Sequence, residues 1–168
     1  MKTIFGSIAA LTITLTAALF AAGQVNLTAL DGQHVNVQGQ TGKVVVLAFG
    51  ASWLPLSAKQ AEFANALAKK YNGKNVVVYF VATDSADPRS KNFATDAAIR
   101  KFGFDKKLNV AILRDSDGTA TLRKFHVEQV PSFVILDKKG AQAGEPFGGI
   151  DPKYDMTVPI SKAIDKLL

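Results

Sequence analysis

With 168 residues the chain is long enough for one domain with its own core, and 48% hydrophobic against 20% charged residues excludes intrinsic disorder. The formal charge of +6 favours acidic partners in principle, but the basic residues fall in scattered pairs: Lys69-Lys70, Arg100-Lys101, Lys106-Lys107, Arg123-Lys124 and Lys138-Lys139. Without interleaved aromatics or one long run, they describe a solvated surface and not a nucleic-acid footprint. The chain has no cysteine, which excludes disulfides and thiolate chemistry from the outset.

The first element in chain order reads as an export signal, residues 1–23. Lys2 precedes an uncharged, strongly apolar stretch that ends at Ala21-Ala22-Gly23-Gln24, with small residues where a signal peptidase requires them. The mature domain is then 24–168, periplasmic or secreted. An uncleaved membrane anchor is the alternative, because about 20 apolar residues can span a bilayer. A lipoprotein anchor is excluded, since it needs a cysteine at the cut.

Residues 25–37 alternate around the turn Asp31-Gly32, as a hairpin does. Residues 44–49 form a continuous apolar run of the fully buried strand type. From 58 to 71, Phe63, Leu67 and Tyr71 recur every fourth residue and predict a helix, with Gly73 as its C-terminal cap. Strands are predicted over 76–82, 108–113 and 132–137, and helices over 89–102, stopped by Gly103, and over 119–125. Residues 158–168, with Ile160, Ile164 and Leu167 on one face, predict a closing helix. Strands alternating with helices give an α/β layered domain, to which a last hairpin after Lys138-Lys139-Gly140 adds antiparallel character.

The stretch joining the apolar run to the first helix, Gly50-Ala51-Ser52-Trp53-Leu54-Pro55-Leu56-Ser57, carries the chemistry to be explained. Ser57 and Gln60 match the capping-box pattern S-x-x-Q, so a structural cap is expected there. A nucleophilic Ser57 would need a base and an orienting acid, and neither His34 nor His126 lies in such a context. Pro55 suits the first turn of a helix, where its missing N–H costs little. Two histidines without cysteines make a poor metal set, and Asp115-Ser116-Asp117-Gly118 has its glycine too early for a calcium loop. No metal or cofactor is expected. Asn26-Leu27-Thr28 is a glycosylation sequon that matters only in a eukaryotic source.

The stretch 26–53 and the stretch 112–140 resemble the opening hairpin, Gly-Lys strand, Asp-x-Asp-Gly turn and Val-Pro dipeptide of the TlpA-like thiol–disulfide oxidoreductases. These are the redoxins of the thioredoxin superfamily. The resemblance covers nearly all of the mature chain and implies a thioredoxin-like α/β fold: a central mixed sheet flanked by helices, with an N-terminal β-hairpin extension. It places Trp53 before the active-site C-x-x-C, with Leu54 on the nucleophilic cysteine, Pro55 and Leu56 on the pair between, and Ser57 on the resolving cysteine. Pro131 falls on the family's cis-proline, after Val130, and Ala48 where many relatives bury a carboxylate.

Thiol–disulfide exchange needs a thiolate to attack sulfur and a second thiol to resolve the mixed disulfide. Leu54 and Ser57 supply neither, so no catalytic residue is assigned. The leading expectation is a redox-inactive module that binds an exported polypeptide on the apolar surface of Trp53, Leu54, Pro55, Leu56, Val130 and Pro131. The competing readings are a vestigial site in which Leu54 packs on Trp53, and the oxidoreductase or antioxidant role the family resemblance implies.

Overall fold

The computed structural model describes residues 25–115 and 120–168. The predicted signal segment therefore lies outside the described residues, as do Ser116, Asp117 and Gly118 of the calcium-like turn.

Six strands form one sheet: β1 (Asn26–Ala29), β2 (His34–Asn36), β3 (Val44–Gly50), β4 (Val76–Ala82), β5 (Ala111–Arg114) and β6 (Ser132–Leu136), in the spatial order β2-β1-β5-β4-β3-β6. β3 runs parallel to β4, with Val44 opposite Val76 and Gly50 opposite Ala82, and β4 runs parallel to β5. β6 joins β3 antiparallel, pairing Ser132 with Phe49, and the hairpin β1–β2 extends the far side antiparallel to β5.

β3 is buried at every position, which explains why its sequence is uninterrupted in apolar residues and not alternating. Val44, Val46 and Ala48 face a core layer built with Phe63 and Leu67, Ile99 and Phe102, and Ile160 and Ile164. These belong to the helices α1 (Pro55–Lys70), α2 (Asp96–Asp105) and α4 (Thr157–Asp165). Val45, Leu47 and Phe49 face the opposite layer, which is closed by Leu27 of the hairpin and by Phe125 and Val127 after the short α3 (Ala120–Lys124). Two covered faces make β3 the centre of the molecule, and its C-terminal end the natural place for a site.

Several predicted boundaries move. α2 starts at Asp96, not Arg89, because the Thr95 hydroxyl accepts from the Ala98 N–H and caps the helix there. The stretch before it folds instead into turns with a bridge between Ser85 and Phe93. Arg114 ties that stretch down, donating to the Ser85 and Ala94 carbonyls and to Asp96. Gly103 does not stop α2 but lies inside it, where a β-carbon would come within 2.6 Å of the Ile112 side chain. The close approach of helix to sheet, and not a chain reversal, accounts for that glycine. α1 ends with Tyr71 as its C-cap, and Gly73 takes its left-handed conformation (φ 77°) two residues later. The third predicted strand begins at Ala111 instead of 108, and β6 ends at Leu136.

Candidate functional site

β3 ends at Gly50, and four residues later the chain enters α1. Leu54 is the N-cap, with extended backbone (φ −81°, ψ 123°), and Pro55 occupies the first turn as its chemistry predicts. The turn is closed by the Leu54 N–H donating to the Ala51 carbonyl (3.1 Å) and the Ser57 N–H donating to the Leu54 carbonyl (3.0 Å).

The capping-box expectation for Ser57 is overturned. Ser57 lies inside the helix and fully buried, and its hydroxyl accepts from the Ala51 N–H at 3.1 Å. It braces the loop from within instead of capping the helix below it. Neither histidine is among its hydrogen-bond partners, and its burial removes it further from any role as a nucleophile. Gln60 does not reach back to Ser57 either. Its amide NH₂ donates to the Phe49 carbonyl (3.0 Å) on β3 and to the Ser132 carbonyl (2.8 Å) on β6. One buried side chain thus joins the ends of two strands to α1.

Gly50 follows from the same packing. A β-carbon there would fall 2.3 Å from the Gln60 Oε1 and 2.8 Å from the Phe80 ring.

Asp84, fully buried just beyond β4, accepts from both the Ser52 N–H (3.0 and 3.1 Å) and the Ser52 hydroxyl (2.6 Å). These bonds fix the loop that carries Trp53. Ala48, by contrast, is buried in β3 between Phe80 and Phe133 and carries no proton-relay group.

The surface residues divide clearly. Trp53 is 52% and Leu56 37% exposed, Pro55 is also exposed, and Leu54 is half-buried. The second segment is the loop before β6, where the Val130–Pro131 bond is cis, Val130 is half-buried and Pro131 buried. The Gln60 bond to Ser132 connects this loop to the start of α1, so the residues singled out from sequence stand on two segments tied to each other.

Beside the same loop opens a cleft of about 850 Å³, lined by His126, Glu128, Gln129, Ser132, Glu145 and Pro146 among others. The sequence reading missed this cleft, and it missed Gln60 and Asp84 as organisers. An Asp two residues beyond the apolar run 76–82 was the one available signal for Asp84. The cleft had no signal, because its lining comes from two loops. Among the described residues no group of three His, Cys, Asp or Glu side chains could hold a metal ion.

A mixed sheet with helices on both faces, a cis-proline loop and a helix starting at the end of the central strand define a thioredoxin-like fold. A thioredoxin-like protein from Aeropyrum pernix superposes with a TM-score of 0.66 at 20% identity, over 85% of this chain and 89% of that one. A secreted Mycobacterium tuberculosis disulfide oxidoreductase, described as homologous to E. coli DsbE, superposes with a TM-score of 0.64 at 23% identity, over 86% and 96% of the two chains.

Residues 20–141 match the model of the AhpC/TSA family, and the chain belongs to that family. In sequence it is 28% identical over 114 residues to the thiol-disulfide oxidoreductase ResA of Bacillus cereus, across 68% of this chain. The match spans 60% of that relative's length.

Proposed function

We propose that this chain is an exported, redox-inactive member of its family that uses the inherited groove to hold an extended polypeptide. The observation that carries the reading is the substitution of both cysteine positions within a frame that is otherwise built. Leu54 stands at the helix N-cap and Ser57 inside the first turn, and the 168-residue sequence contains no sulfur nucleophile. Without a thiolate, neither disulfide exchange nor peroxide reduction by cysteine can proceed.

What remains is an apolar surface made by Trp53, Leu54, Pro55 and Leu56, at the start of a helix that Gln60 ties to the loop carrying Val130 and Pro131. Large side chains exposed together in this way suit a partner's apolar residues. Leu54 extends the patch where a small polar residue would have interrupted it. Export supports the same reading through Lys2 and the uncharged segment behind it, and through a structural relative described as secreted.

The oxidoreductase role printed in the name of the Bacillus relative is the competing reading, favoured by family membership alone. Two measurements on the purified protein separate them. Insulin reduction by dithiothreitol should proceed at its background rate. Because Trp53 is the single tryptophan of the chain, its fluorescence should report saturable binding of reduced, carboxymethylated α-lactalbumin. Leu54→Asp should weaken that binding about tenfold, from burying a charge against the partner's apolar side chain. Turnover of insulin above background would refute the proposal, and so would an unchanged Trp53 signal.

A further inference from the structure

We propose that the cleft beside the Val130–Pro131 loop receives an arginine or lysine side chain of the polypeptide held on the apolar groove. The proposal rests on the groove reading above and adds what kind of segment the groove prefers.

The cleft contradicts the rest of the molecule in sign. The chain carries 20 Lys and Arg against 14 Asp and Glu, yet among the described residues the lining contains Glu128 and Glu145 beside His126, and neither a lysine nor an arginine. Among the described residues neither of these carboxylates has an ion-pair or hydrogen-bond partner. Both are exposed at the mouth of a space large enough, at about 850 Å³, for a long side chain.

Ionised carboxylates only accept hydrogen bonds, and Gln129 adds an amide oxygen that can do the same. Such a lining selects a donor, and a guanidinium offers five N–H groups in the planar arrangement that carboxylates match best. A bare metal ion is a poor fit, since the described residues provide no three-ligand group.

The position links the cleft to the groove. Gln129 and Ser132 line it and flank Val130–Pro131 directly, and the Ser132 carbonyl is bonded to Gln60 in α1. A segment lying across Trp53, Leu54 and Val130 therefore has the cleft next to it. Successive side chains of an extended segment point to opposite sides, so one can rest on the apolar patch while a neighbour turns into the cleft.

The test uses three fluorescein-labelled, alanine-based nonapeptides with a central Leu-Val pair, flanked on both sides by Arg, by Glu or by Ala. Dissociation constants come from anisotropy at low and high salt. The Arg probe should bind the wild type about five- to tenfold more tightly than the Glu probe, as two exposed charge contacts allow. The net positive charge of the protein alone would order the two probes the other way.

In the double variant Glu128→Gln, Glu145→Gln the preference should vanish while affinity for the Ala probe stays unchanged. Half-molar sodium chloride should also diminish it in the wild type. Equal binding of Arg and Glu probes by the wild type, or a preference that survives in the double variant, overturns the cleft assignment and leaves the groove standing. If none of the three probes binds, the groove reading falls and the cleft assignment with it.

Discussion

At the scale of single residues, the amide of Gln60 donates to carbonyls on two strands at once, and its removal has a definite expected cost. Gln60→Leu keeps similar bulk but removes both bonds to the Phe49 and Ser132 carbonyls in a fully buried place, and with them the unpartnered Gln60 Oε1. Each lost bond costs about 0.5–1.5 kcal/mol and loss of the orphaned oxygen offsets part of that, so the variant should lose about 1–2 kcal/mol in a urea melt. A loss under 1 kcal/mol would mean that water or a neighbouring donor replaces the amide. The sequence offered Gln60 only as the last letter of a local capping pattern. A four-residue pattern cannot record that a side chain points to a strand 72 residues away.

At the scale of elements, the start of α1 is where the family's chemistry is either kept in outline or lost. Leu54 and Ser57 are joined by a hydrogen bond from the Ser57 N–H to the Leu54 carbonyl, the closure of a single turn. Four-residue turns bring the end α-carbons within about 7 Å, inside the range a disulfide can bridge. The double substitution Leu54→Cys, Ser57→Cys should therefore lose two thiols to oxidised dithiothreitol without forming a dimer, as read by mass spectrometry and thiol titration. The thiol at residue 54, next to the free N–H groups of α1, should titrate below the usual value of about 8.5. Thiols that stay free or pair only between molecules would show that these positions do not replace C-x-x-C. Reductase activity need not follow, because Ala48 gives no proton relay. The boundaries of α2 teach the complementary lesson. A helix read from residue 89 passes over the Thr95 cap, and Gly103 reads as a stop until the Ile112 side chain beneath it is seen.

At the scale of the whole molecule, Tyr71 closes the helical layer by sharing its one hydroxyl proton between the Ser161 carbonyl (3.1 Å) and Asp165 (2.8 Å), joining α1 to α4. Burial first, and the Asp165 carboxylate with it, holds the phenol above the ordinary tyrosine range against the opposing influence of the Ser161 hydroxyl. The unfolded chain therefore gives up this proton first as pH rises. The stabilisation is complete below about pH 10 and is lost progressively above it. Tyr71→Phe should cost about 1–2 kcal/mol at pH 7, the value of the lost hydrogen bonds. The difference from wild type should shrink as pH rises above about 10, when both are measured by urea denaturation. A constant difference would contradict this. Tyr79, which burial also raises, contributes equally to both proteins and cancels.

The sequence by itself determined the layered α/β architecture, the central strand, the absence of any thiol and the family. Each of these depends on the type and order of residues: an unbroken apolar run must be buried on both faces, and a chain without cysteine has no thiolate to offer. Only the tertiary structure decided that Ser57 braces a loop instead of capping a helix. The same holds for Gln60, which ties α1 to both β3 and β6, for Asp84, which anchors the Trp53 loop, and for the acidic cleft beside Pro131. Gln60 and Asp84 reach segments 72 and 32 residues away in the chain, and the partner of a buried polar side chain is set by which strand ends the folded sheet brings together.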